Sequence, residues 1–412
     1  MEKSSRESTT EPLKMAIPLR IAGLRGSVPP IWVKDFRVSQ GRRVNFSIRY
    51  QNSLNETLSA LRMAVKKKDA KPDSILCSDL VTIGDSWLQL AISDGLIQPI
   101  KDAESQEWFN KLGANWKEFA RRNHDGALSQ DGLIWGVPYR WGTMVIAYKK
   151  DRLSRNNIPA IEDWKDLWRP ELKGQISMVD SPREVVGIVL KSLGASYNAQ
   201  DFEHDVEGGR EAVKQQFSAL HEQVKVFDNI HYLKAFGLDD VWVAVGWSCD
   251  LIPVAKRMSY VNVVVPKSGA SLWADFWAIP AGNAILGKQT GSRSCEKSPL
   301  IHQWLNFCLQ PARSLPFRQG TFIGYPPFFL NCTSGKTRKI VPGDFTDVVK
   351  GMVPDSDITD GMLPKDGLER SEMLEPLSEK ALAEYRWLFS QATEWHTYTE
   401  RGMFARSKNS SN

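Results

Sequence analysis

The sequence predicts an α/β protein of two lobes whose strands deliver aromatic and acidic side chains to a shared site. The chain has 412 residues, beyond the roughly 250 to 300 at which a single hydrophobic core stops growing. From Leu19 onward, short apolar runs alternate with longer amphipathic segments, the pattern of βαβ units and a largely parallel sheet. Three of the apolar runs also end on a tryptophan and an aspartate close together.

The first strand is LRIAGL, residues 19–24. Residues 54–66 place Leu54, Leu58, Leu61 and Val65 on one helical face, and the apolar run DLVTIG, residues 79–84, follows as a strand. A second unit opens with the strand MVIAYKK, residues 144–150. Residues 163–173 then read as a short helix stopped by Pro170 and Gly174. The next strand is QISMVD, residues 175–180, and behind it Ser181 is a natural N-cap with Pro182 at the first helical position. That helix runs to Gly194 and puts Glu184 in its first turn, at the carboxyl end of a strand. Residues 241–280 hold three strand-like runs, and residues 300–309 and 377–393 have helical spacing.

A hydrophobic content of 42% and a charged content of 25% exclude a disordered or fibrous chain. The net charge of +5 is spread thinly. Its main basic run, Lys66-Lys67-Lys68, lacks interleaved aromatics and reads as a solvated helix end, so nucleic acid is not an expected partner. Neither a Gly-x-Gly-x-x-Gly nor a Walker loop occurs, which argues against phosphate cofactors. The five cysteines, Cys77, Cys249, Cys295, Cys308 and Cys332, form no CxxC pair, and no disulfide framework is expected. Cys77, Cys249 and Cys308 sit in apolar runs and read as small buried hydrophobes. No run reaches the roughly 18 to 20 apolar residues of a membrane span. Residues 1–15 are polar and read as a disordered leader without the apolar segment of a secretory signal.

The candidate site comes from the strand ends. Asp85 and Trp87 follow DLVTIG, Trp247 and Asp250 follow VWVAVG, and Trp273 and Asp275 lie in the run VNVVVPKSGASLWADFWAIPAG, residues 261–282. In open α/β sheets, ligands sit outside the carboxyl ends of the strands. A carboxylate beside an indole face suits an organic cation, because the ammonium N–H groups need acceptors and the charge is attracted to the ring. Any single pair is also ordinary packing in a chain with 15 tryptophans. An enzymatic reading rests on Gly246-Trp247-Ser248, which resembles half of a nucleophile elbow but has Asp250 where the second glycine belongs. His204 between Glu203 and Asp205 could ligate a metal, although such a polar run is more often a solvated loop. No catalysis, cofactor or metal is expected.

Six ordered blocks, residues 79–100, 136–148, 164–194, 243–250, 261–282 and 323–328, together resemble the solute-binding proteins of bacterial ABC importers, in particular the spermidine/putrescine-binding family. The resemblance implies a periplasmic-binding-protein type II fold: two α/β lobes, joined by two crossover strands, that close on a ligand in the cleft. Lobe one is expected to comprise residues 16–142 and 270–412 with the C-terminal helices, and lobe two residues 143–269. It further implies that Trp247 and Trp273 stack on the ligand, that Glu184, Asp250 and Asp275 hold ammonium groups, and that Tyr325 lines the cleft. Asp85 stands where the family has a Ser/Tyr pair and could supply charge. Ser181 stands where an acidic residue is expected, and Leu24-Arg25-Gly26-Ser27 replaces an aromatic and hydroxyl cluster. Arg25 would repel a dication unless it turned away. The expected function is capture of a polyamine, putrescine or spermidine, by a monomer that hands it to an ABC permease. A receptor for another solute, a hydrolase-like enzyme using Ser248, and a scaffold that has lost its ligand are the alternatives. The expected compartment is the periplasm, or a plastid if the source is a plant.

Overall fold

The computed structural model describes residues 16–41, 44–69, 71–229, 231–282, 296–310, 313, 331–333, 339–341, 370–375 and 377–391. Tyr325 and residues 1–15 lie outside them. The strands in chain order are β1 (Ile17–Leu24), β2 (Val44–Gln51), β3 (Leu80–Gly84), β4 (Ile97–Gln98), β5 (Arg121–Arg122), β6 (Leu133–Ile134), β7 (Val137–Lys149), β8 (Ile176–Met178), β9 (Val224–Phe227), β10 (Val243–Trp247), β11 (Val261–Val264), β12 (Ser271–Pro280), β13 (Asn331–Thr333), β14 (Lys339–Val341) and β15 (Glu372–Met373).

One sheet runs in the order β2-β1-β3-β12-β7-β10-β8-β9, with β11 pairing β7 and both β4 and β15 pairing β12. The outer pairs are parallel, β1 with β2 and β3 on one side and β8 with β9 and β10 on the other. The middle is antiparallel, because β12 pairs β3 and β7, and β7 pairs β10. Every residue of β7 and of β12 is buried. Such two-faced burial explains why these strands read as continuous apolar runs instead of alternating ones.

Each half of the sheet is covered by helices whose apolar faces the sequence shows. The helix Leu54–Lys67 buries Leu58, Leu61 and Ala64, is capped by the Ser53 side chain, and ends on Lys66 and Lys67 as the helix dipole favours. Helix Pro182–Ser192 begins with Ser181 at its N-cap and proline at its start, although the Ser181 side chain makes no capping bond. The segment 163–173 is not one helix. It forms two 3₁₀ turns, Trp164–Trp168 and Pro170–Leu172, because Pro170 cannot donate to a continuing ladder.

A buried carboxylate ties the first half together. Asp79 is fully buried and accepts from the backbone N–H of Arg20 at 2.7 Å, from Arg20 Nη2 at 3.1 Å and from the backbone N–H of Ser298 at 2.8 Å. It thereby joins β1 to the segment that leads into helix Ile301–Cys308. That helix seats Trp304 and Phe307 against Phe36 and Phe46.

The described C-terminal helix does not join this half. Helix Glu379–Ser390 lies on the second half, where Tyr385 accepts from Arg183 Nη1 at 2.8 Å, Glu384 takes both arms of Arg210 at 2.7 and 2.8 Å, and Phe389 meets Phe217. Residues 270–412 were expected with residues 16–142; within them β15 pairs β12, while helix Glu379–Ser390 meets Arg183, Arg210 and Phe217. Helical spacing shows an apolar face but not which neighbour it covers.

The cysteine reading also changes. Cys249 and Cys308 are free, but Cys77 is disulfide-bonded as well as buried. Sequence spacing carries no information on which thiols approach within bonding distance.

Replacing Asp79 with alanine removes the buried acceptor shared by the backbone N–H groups of Arg20 and Ser298 and the ion-pair partner of Arg20. The expected loss is about 1–3 kcal/mol in urea unfolding, the cost of leaving buried donors unsatisfied. A loss under about 1 kcal/mol would contradict this role.

Candidate ligand-binding site

The carboxyl ends of β3, β8 and β10 each lead into a helix. Asp85 opens helix Asp85–Ser93 behind β3, Glu184 lies in the first turn of the helix behind β8, and Trp247 is the last residue of β10. The fourth contribution comes from β12 itself. Trp273 and Asp275 alternate onto one face, and Asp275 is the register partner of Gly84, the residue before Asp85.

β7 supplies what sequence reasoning missed. Its residues Arg140 and Gly142 are the register partners of Asp275 and Trp273. Arg140 Nε donates to Asp275 Oδ2 at 2.5 Å, both side chains are buried, and the guanidinium carbon lies 5.3 Å from the Trp273 ring centroid. Gly142 makes room for the indole, since a Cβ there would come within 2.4 Å of Trp273 Cζ2 and 2.7 Å of Ser248 Oγ. The signal was an Arg-x-Gly facing a Trp-x-Asp, legible once the two strands are known to pair antiparallel. Trp247 completes the aromatic pair, edge-on to Trp273 with centroids 6.3 Å apart and planes at 82°.

The acids fall into two groups. Asp275 is engaged by Arg140, and Asp250 accepts from the Tyr232 hydroxyl at 2.9 Å. Glu184 Oε2 accepts from Ser271 Oγ at 2.6 Å. Asp85 is 6% exposed, and its Oδ2 has no hydrogen-bond partner among the described residues, nor has Trp273 Nε1. Burial pushes the Asp85 carboxyl up to about 7, with the Asp275 charge adding to the rise and the Ser86 and Ala274 backbone N–H groups opposing it. Burial also lifts Glu184 to about 8, with the Asp85 charge adding while Ser271 and Arg183 oppose. Asp250 and Asp275 are raised by burial as well, each against the pull of Arg140.

Other expected residues fall elsewhere. Trp87 packs into the smaller core under helices Leu54–Lys67 and Asp85–Ser93, two residues on from Asp85 and so on the opposite side of the helix. Arg25 is exposed and donates from Nε to Asn52 Oδ1 at 3.1 Å, turning out of the site. Ser248 accepts from the Thr143 backbone N–H at 3.1 Å and braces β10 against β7. His204 pairs with Asp201, Glu203 accepts from the Arg210 backbone N–H, and Asp205 accepts from the N–H groups of Gln200 and Asp201. Among the described residues no cluster of His, Cys, Asp or Glu has the makings of a metal site.

A split sheet with two long antiparallel central strands and acids gathered at the strand ends defines a two-lobed α/β protein of the periplasmic-binding-protein type II class. The substrate-binding protein of a spermidine/putrescine ABC transporter from Streptococcus pneumoniae superposes with a TM-score of 0.65 at 21% identity, covering 91% of this chain and 98% of that one. A Treponema pallidum lipoprotein of similar fold gives 0.62 at 18% identity, over 91% and 98% of the two chains. Residues 70–347, more than half of the chain, match the family described as bacterial extracellular solute-binding protein, and the chain belongs to that family. It is a family of binding proteins, not of enzymes. The spermidine/putrescine-binding periplasmic protein of Salmonella typhimurium is 27% identical over 254 residues, which is 62% of this chain and 65% of that one. The putrescine-binding periplasmic protein of Escherichia coli is 26% identical over 247 residues, 57% and 60% of the two chains. This chain thus spans somewhat under two thirds of the length of these relatives.

Two measurements follow from the geometry. Gly142→Ala should lower stability by about 1–3 kcal/mol in urea and shift the tryptophan fluorescence, because Trp273 must move. The raised carboxyls set a pH dependence with a definite sign. Between their ordinary values, 3.8 and 4.5, and their folded values near 7 and 8, the folded protein holds protons that the unfolded chain has lost. Their contribution to stability therefore falls as pH rises through that window. The double variant Asp85→Asn/Glu184→Gln should flatten the decline of Tm between about pH 5 and 8. An unchanged slope would mean that neither group titrates there.

Proposed function

We propose that this chain is a solute-binding protein that captures a small organic amine cation by closing its two lobes, and that it delivers the solute to an ABC permease. The observation that carries the reading is the buried Oδ2 of Asp85, which has no hydrogen-bond partner among the described residues and lies near Glu184. A buried carboxylate oxygen left without a donor is costly, and a ligand ammonium would supply a donor and add positive charge to that of Arg122. The indoles offer surface for the methylene carbons and attraction for the charge. The names of the relatives, which are spermidine/putrescine-binding and putrescine-binding proteins, point to the same chemical class.

The compartment proposed is extracytoplasmic, as in the relatives named periplasmic. The Cys77 disulfide supports it, because such bonds persist in oxidising spaces. No helix among the described residues is long and apolar enough to cross a membrane.

Calorimetric titration with putrescine, spermidine and single amines tests the reading. At pH 8 amines should give saturable heat while sugars and organic anions give none. Asp85→Asn should weaken the amine by about tenfold or more, the loss of a charge-assisted hydrogen bond. Binding should also strengthen from pH 6 to 8, since an ammonium holds Asp85 and Glu184 ionised and expels their protons. No heat from any amine at millimolar concentration sinks the proposal.

A further inference from the structure

The Arg140–Asp275 pair sits where a ligand ammonium would be held. Asp275 offers the acceptor and Trp273 the ring face, and Arg140 already uses both, at 2.5 Å from Asp275 Oδ2 and 5.3 Å from the ring centroid. The guanidinium is delivered by the backbone register of β7 against β12, not by a mobile loop, and both partners are buried. Asp250 accepts one hydrogen bond, from the Tyr232 hydroxyl. The acid left with an oxygen that no described residue engages is Asp85, at Oδ2, and Glu184 lies near it.

We propose that Arg140 is a specificity-determining residue: its guanidinium fills one ammonium position from within, so the site takes an amine that presents a single cationic group, held at Asp85 and Glu184. This rests on the reading of the site as one for amine cations. A second ligand ammonium would have to displace Arg140 from Asp275 or lie against it, and like charges repel strongly in a dry site. The protein thereby carries a repulsive element against diamines along with its attraction for one ammonium. Because Asp275 already neutralises Arg140, a ligand carboxylate gains little there.

The test compares three probes of equal chain length, 4-aminobutan-1-ol, putrescine and 4-aminobutanoate, by calorimetry on the wild-type protein and on Arg140→Met. The wild type is expected to bind 4-aminobutan-1-ol at least as tightly as putrescine and more tightly than 4-aminobutanoate. Arg140→Met, which leaves Asp275 for a second ammonium, should shift the preference towards putrescine by about tenfold or more. A wild type that prefers putrescine by tenfold, or a folded variant with an unchanged ratio, overturns the proposal and leaves the amine-binding reading standing. A wild type that prefers 4-aminobutanoate overturns it as well, since Arg140 would then serve the ligand instead of Asp275. Amine binding by neither protein removes the underlying reading and this inference with it. Should Arg140→Met fail to fold around the unpaired Asp275, the ratio on the wild type still decides.

Discussion

The cross-strand pair between Arg140 and Asp275 is the constraint around which the centre of the molecule is arranged. It joins β7 to β12, the two long strands on which both halves of the sheet are built. Neither side chain could be buried alone, and removing one partner from such a pair costs about 3–5 kcal/mol because the other is left as a lone charge. The pair also fixes what lies beside it. Trp273 is held between the guanidinium and the bare backbone of Gly142, and the carboxyl of Asp250 feels the same positive charge.

From that pair follows the division of the acids. Four carboxylates converge on a small, dry region, and four uncompensated negative charges there would be intolerable. Arg140 offsets part of the charge, Tyr232 and Ser271 donate to Asp250 and Glu184, and burial keeps protons on Asp85 and Glu184 up to about pH 7 and 8. The result is a site that is stable without ligand because it is partly protonated and partly self-paired. On the proposed reading, an incoming ammonium would displace those protons.

Much of this was legible in the sequence, for reasons that differ by element. The strand at residues 79–84 and the helices at 54–66 and 182–192 have strong periodicity and clear caps, so their existence and type follow from local chemistry. Asp85 and Glu184 could be placed because each begins a helix directly behind a strand. The helix Pro30–Ser39 and the edge strand Val44–Gln51 went unread, although Val44, Phe46 and Ile48 alternate with Asn45, Ser47 and Arg49. Arg140 was missed because its partner is 135 residues away, and only the strand register brings the two together. Trp87 looked like Trp273 in the sequence, but a residue two places into a helix turns away from its neighbour, whereas a residue two places along a strand shares its face. The disulfide at Cys77 and the return of helix Glu379–Ser390 to the second half are tertiary facts with no local signature.

The most direct test of the account is a crystal structure with 4-aminobutan-1-ol bound at pH 8. The account expects the amine nitrogen within hydrogen-bond distance of Asp85 and Glu184, with Arg140 still paired to Asp275. An amine nitrogen on Asp275, with Arg140 swung away from Trp273, would contradict it.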